Sequence, residues 1–74
     1  MTVNPQHLET SVYMLRTHAQ NAETTPLIEL LEALQKDPDS AAALADVINT
    51  FNSLGSAQGL VLTYAPYVGT LITD

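Results

Sequence analysis

The sequence contains no cysteine and no tryptophan, and only two of its 74 residues, Arg16 and Lys36, are basic. Without cysteine the chain has neither a disulfide framework nor a thiolate metal site that could stabilise a small fold. Proteins that bind nucleic acids or anionic lipids neutralise phosphate groups with lysine and arginine. The scarcity of these residues argues against a nucleic-acid partner and against docking on an anionic membrane.

Charge is also missing from one long segment, because no Asp, Glu, Lys or Arg occurs from Val47 to Thr73. The formal net charge of −6 arises mainly in the first 46 positions, which hold nine of the ten charged residues. It reflects a shortage of bases rather than an excess of acids, so the chain is not a nucleic-acid mimic. A segment without charge must be buried, covered by a partner or inserted in lipid, or it aggregates.

The length limits the fold to one small domain, which we expect to span residues 1–74. A chain of this size buries only about 60% of its unfolded surface, so its core is marginal and self-association commonly adds stability. The hydrophobic content of 46% is typical of a folding chain. The amino-terminal residues show neither the basic region nor the apolar run of a secretory signal, so the default expectation is a cytoplasmic protein.

Proline residues predict where helices begin, because proline at the first helical position loses no intrahelical hydrogen bond. Three of the four prolines follow a residue that caps helices well: Asn4-Pro5, Thr25-Pro26 and Asp37-Pro38. Apolar residues then recur at helical spacing. We therefore predict helices over residues 5 to 20 or 22, 26–36 and 38–54, the last ending before Gly55. On the second helix, Glu32 and Lys36 have the spacing of an ion pair.

The remaining segment, residues 56–74, is compatible with two structures. As strands it reads as a β-hairpin or as an edge that pairs between chains, because it is rich in good strand formers. As a helix it is kinked by Pro66 and places five large apolar residues on one face: Leu60, Tyr64, Tyr67, Val68 and Leu71. We favour the helix, because three preceding helices offer a surface for it to pack on. The expected fold is an all-α bundle of three helices plus a fourth, kinked C-terminal helical element.

Residues with catalytic or metal-binding potential are sparse. His7 and His18 are eleven residues apart, which is about 16 Å along a helix, so one metal ion cannot bridge them. The sequence has no glycine-rich phosphate loop, no nucleophile elbow and no metal-binding His-Glu-x-x-His helix. We predict no enzymatic activity, no catalytic or metal-binding residues and no cofactor.

The apolar C-terminal segment carries the functional prediction. We expect a non-catalytic, acidic, helical interaction protein, such as a regulator, adaptor or specialised chaperone, that forms a homodimer or binds another protein. The predicted contact residues are Leu60, Tyr64, Tyr67, Val68 and Leu71, with Phe51 beneath them. The alternative is a peripheral membrane component that uses the same segment, although the apolar run from Leu60 to Ile72 is too short to span a bilayer. An enzyme or metal-binding protein ranks third.

Overall fold

The computed structural model describes residues 3–73 and forms five α-helices with no strand over that range. The helices are α1 (Pro5–His18), α2 (Thr25–Lys36), α3 (Ala41–Asn52), α4 (Ala57–Tyr64) and α5 (Pro66–Thr73). The predicted all-α fold class is confirmed. The alternative prediction of β-strands in the C-terminal segment is wrong. This segment forms two helices, whereas we expected one kinked helical element. Met1, Thr2 and Asp74, which the predicted domain included, lie outside the described residues.

Helix α1 begins where the sequence predicts it. The Asn4 side-chain oxygen accepts hydrogen bonds from the backbone N–H groups of Gln6 and His7, at 2.9 and 3.3 Å. Pro5 occupies the first helical position, where its missing amide costs nothing. The helix ends at His18, earlier than the predicted residue 20 or 22.

The connection between α1 and α2 is organised by Asn21 rather than by the predicted cap Thr25. The Asn21 side chain accepts from the backbone N–H groups of Glu23 and Thr24, and the Thr24 hydroxyl accepts from the Asn21 N–H at 3.0 Å. This reciprocal arrangement has the form of a capping box. Thr24 is fully buried and also donates its hydroxyl proton to the Ala19 carbonyl at 2.6 Å. The turn into α2 is therefore closed by two local polar side chains.

Helix α3 starts three residues later than predicted. Ser40, not Asp37, is its cap, and the Ser40 hydroxyl accepts from the Ala43 N–H at 3.1 Å. The preceding turn is closed by a bond from the Ser40 N–H to the Asp37 carbonyl. The helix ends at Asn52, and Gly55 follows in the left-handed conformation with φ of 60°. Glycine is favoured there because a Cβ atom makes this conformation costly.

The C-terminal segment breaks at Ala65 because of the proline that follows it. Proline disfavours the helical conformation of the residue before it and cannot donate to the carbonyl four residues back. Ala65 accordingly has φ −137° and ψ 67°, and a new helix begins at Pro66. Helices α4 and α5 pack against each other and against α1.

The core lies where α1 contacts α2, α4 and α5, while α3 packs against α2 and α5. Its fully buried large side chains come from every helix: Leu8, Leu15, Leu27, Ile28, Leu31, Leu34, Val47, Val61, Val68 and Leu71. An exposed ion pair between Arg16 and Glu32 links α1 to α2. The predicted pair of Glu32 with Lys36 is wrong, because Glu32 binds Arg16.

Candidate functional site

The five residues predicted as a contact surface occupy three different environments. Val68 and Leu71 are core residues with 0% and 1% exposure, and Phe51 belongs to the same buried cluster. Tyr64 and Tyr67 are half-buried, whereas Leu60 is 36% exposed. The break at Ala65 explains this divergence, since a single helical periodicity does not continue across it. The segment is therefore mainly a cover for the core.

Both tyrosines of this segment contact histidines of α1. The Tyr67 ring meets the His7 ring edge to face, with centroids 4.9 Å apart and planes inclined by 71°. The Tyr67 hydroxyl also accepts from the Asn4 N–H at 2.8 Å. The Tyr64 ring stacks on His18 with centroids 5.0 Å apart. Two aromatic pairs thus hold the C-terminal helices against α1.

A groove of about 360 Å³ lies between α1 and the junction of α4 with α5. Its walls combine hydroxyl groups, two tyrosines and one imidazole, and it is lined by His7, Thr10, Ser11, Tyr64, Ala65, Pro66, Tyr67 and Thr70. None of these side chains is an acid, a lysine or an arginine. The α1 side of the groove was not predicted from the sequence, although the i, i+3, i+4 spacing of His7, Thr10 and Ser11 places them on one face.

The outer face of α4 is a second surface, separate from the groove. Gly59 and Thr63 lie one turn apart at its centre, and Leu60 and Leu62 flank them with 36% and 39% exposure. A Cβ atom on Gly59 would meet nothing within 4 Å. The Thr63 hydroxyl donates to the Gly59 carbonyl at 2.8 Å and is thereby satisfied within the helix. We call these four residues the α4 face; the prediction contained Leu60 and missed the other three.

The charged side chains of residues 3–73 lie on the first three helices and in the connections between them. Hydrogen bonding to Glu32 raises the pKa of Arg16, and the negative charges of Glu32 and Glu29 add to this effect. Arg16 is thus paired with Glu32. Within residues 3–73, Lys36 makes no ion pair. The uncharged α4 face therefore contrasts with residues 3–54, which carry seven acidic and two basic side chains.

No cluster of three His, Asp or Glu side chains within residues 3–73 is arranged to hold a metal ion. Over the same range, each helix is too short or too polar to cross a membrane. Comparison with protein-family models, with curated proteins and with solved structures gives no match.

Proposed function

We propose that this chain is a small, non-catalytic interaction protein that forms a homodimer through the α4 face. In this role it acts by binding, as a regulator, adaptor or specialised chaperone. The observation that carries the proposal is the α4 face itself, which presents two exposed leucines around a glycine within the charge-free segment.

The charge distribution favours a second copy as the partner. Two copies with a net charge of −6 repel each other wherever their acidic surfaces meet. The α4 face carries no charge, so this repulsion is weakest when two α4 helices approach each other. A homodimer contact of this type is isologous, because the same patch is used on both copies.

The shape of the α4 face also suits a helix crossing. Gly59 has open space around it, which lets a second backbone approach closely at that point. Leu60 and Leu62 then stand on either side of the crossing and pack beside the partner's glycine. An eight-residue helix is only about 12 Å long, so the interface is small. We therefore expect weak association, with a dissociation constant in the micromolar range.

Sedimentation velocity of the wild-type chain and of Gly59→Glu tests this proposal. The substitution places a carboxylate at the centre of the contact without a steric clash in the monomer, and glutamate favours helix more than glycine does. The matched control is Ala45→Glu, which adds the same charge at an exposed position of α3.

The wild-type chain and Ala45→Glu should shift from monomer to dimer at high micromolar concentration, whereas Gly59→Glu should remain monomeric. Circular dichroism confirms that each variant is helical. A wild-type chain that stays monomeric overturns the proposal. Equal dimerisation of the two variants overturns the assignment to the α4 face.

A further inference from the structure

We propose that the groove between α1 and the α4–α5 junction is a binding site for a small, neutral, planar aromatic molecule that carries a carbonyl oxygen. Its volume of about 360 Å³ falls in the range of ordinary small-molecule sites. None of the four residues of the α4 face lines it, so this proposal does not depend on dimerisation.

Aromatic groups favour a planar ligand. Tyr64 and Tyr67 belong to different helices, on either side of the break at Ala65, and both line the groove together with the His7 ring. Each tyrosine is already oriented by a histidine of α1, so ring positions are fixed before a ligand arrives. Aromatic rings prefer edge-to-face or offset contacts with one another. A flat ring that contacts one or more of these side chains satisfies that preference.

The hydrogen-bonding groups of the groove favour an acceptor on the ligand. The hydroxyl protons of Thr10 and Ser11 are used within α1, on the carbonyls of Gln6 and His7. The Tyr67 hydroxyl accepts from the Asn4 N–H, which leaves its own proton available to donate. Within the described part of the chain, the Tyr64 hydroxyl makes no hydrogen bond. The O–H groups of Tyr64, Tyr67 and Thr70 therefore remain as donors for a ligand oxygen, and the two tyrosines enter the groove from separate points along α1.

The composition of the groove disfavours ionised ligands. Its lining contains no lysine or arginine to pair with an anion and no acid to pair with a cation. The net charge of −6 further disfavours an anion. A neutral carbonyl, such as a carboxamide, is the acceptor that matches these donors.

Three probes of nearly equal size separate these requirements. Benzamide has the ring and the neutral carbonyl, cyclohexanecarboxamide lacks the aromatic ring, and benzoate carries a negative charge. Each is titrated into the ¹⁵N-labelled 74-residue chain while amide resonances are recorded by NMR. Benzamide should give saturable shifts at the residues that line the groove, with a dissociation constant in the millimolar range. The other two probes should bind about threefold more weakly or worse.

Tyrosine variants test the donors. Tyr64→Phe and Tyr67→Phe keep the rings and remove one hydroxyl each, so the variant that loses the donor used by the ligand should weaken benzamide binding about two- to tenfold. The matched control Tyr13→Phe removes a hydroxyl from an exposed ring outside the groove and should leave binding unchanged. The amide spectrum of each variant shows whether it is folded.

Three results would overturn the proposal. The first is the absence of saturable benzamide shifts at the groove in a folded wild-type chain. The second is equal binding of benzamide and cyclohexanecarboxamide or benzoate. The third is a set of tyrosine variants that bind like Tyr13→Phe. Sedimentation of the same samples reports the dimer separately, so either proposal can fail without the other.

Discussion

The imidazole of His18 stacks on the ring of Tyr64, with centroids 5.0 Å apart and planes inclined by 17°. This contact joins the last residue of α1 to the last residue of α4. A second pair, His7 with Tyr67, makes the corresponding contact near the first turn of α1. The two pairs fix the C-terminal helices at separate points along α1, and the groove lies between α1 and these helices.

The His18–Tyr64 stack should contribute measurably to stability. We expect His18→Ala to lower the free energy of unfolding by about 0.5–1.5 kcal/mol, the usual value of an aromatic pair beyond its buried area. Thr17→Ala is the matched control, because threonine and histidine have similar helix propensities and Thr17 is exposed. Urea denaturation followed by circular dichroism measures both. Equal effects of the two substitutions would show that the stack contributes nothing.

Core and surface roles within the C-terminal segment should separate clearly. Leu71→Ala should lower the free energy of unfolding by about 2–5 kcal/mol, because it opens a cavity at a side chain that is 1% exposed. Leu60→Ala, at a side chain 36% exposed, should cost under about 1 kcal/mol in the monomer. Urea denaturation at low protein concentration, where the dimer is not populated, makes this comparison. Equal losses of unfolding free energy in the two variants would contradict the assignment of Leu71 to the core and Leu60 to the surface.

The start of α3 can be tested by removing each candidate cap. Ser40→Ala should lower stability by about 1 kcal/mol, since the Ser40 hydroxyl accepts from the Ala43 N–H. Asp37→Ala should have a smaller effect, because the Asp37 bond in this turn is made by its backbone carbonyl, which alanine retains. Thermal unfolding of the two variants ranks them. The reverse order would place the cap at Asp37, as the sequence predicts.

The glycines should respond oppositely to alanine. Gly55→Ala forces a side chain into φ of 60° and should cost about 1–2 kcal/mol. Gly59→Ala, in open space within α4, should stabilise the monomer by up to about 1 kcal/mol, because alanine is the better helix former. Chemical denaturation at low protein concentration checks both signs. A stabilising Gly55→Ala would be inconsistent with the left-handed turn.

Local chemistry predicts most of the helices. Asn4 and Pro5 mark the start of α1 because capping and the proline φ angle act within a few residues. The rule that a capping residue before proline starts a helix places the start of α3 too early. The cap is Ser40 and not Asp37, because the Ser40 hydroxyl accepts from the Ala43 N–H in the first turn. The same rule does not identify Asn21 as a capping residue, because no proline follows it directly.

The candidate sites are harder to predict, because they depend on contacts between distant residues. One helical periodicity applied across Pro66 groups Val68 and Leu71 with Leu60, whereas the chain breaks at Ala65 and buries the first two. The ring contact of His7 with Tyr67 joins residues that are 60 positions apart, so no local sequence pattern predicts it. The uncharged segment correctly draws attention to α4 and α5, but only the fold separates the core, the groove and the α4 face.

Isotope-filtered NMR can show whether two copies meet at the α4 face. A mixture of labelled and unlabelled chains at high concentration reveals contacts between copies. We expect intermolecular NOEs from the methyl groups of Leu60 and Leu62 to the Gly59 α-protons of the partner copy. Intermolecular NOEs confined to another surface, or none from a chain at near-millimolar concentration, would contradict it.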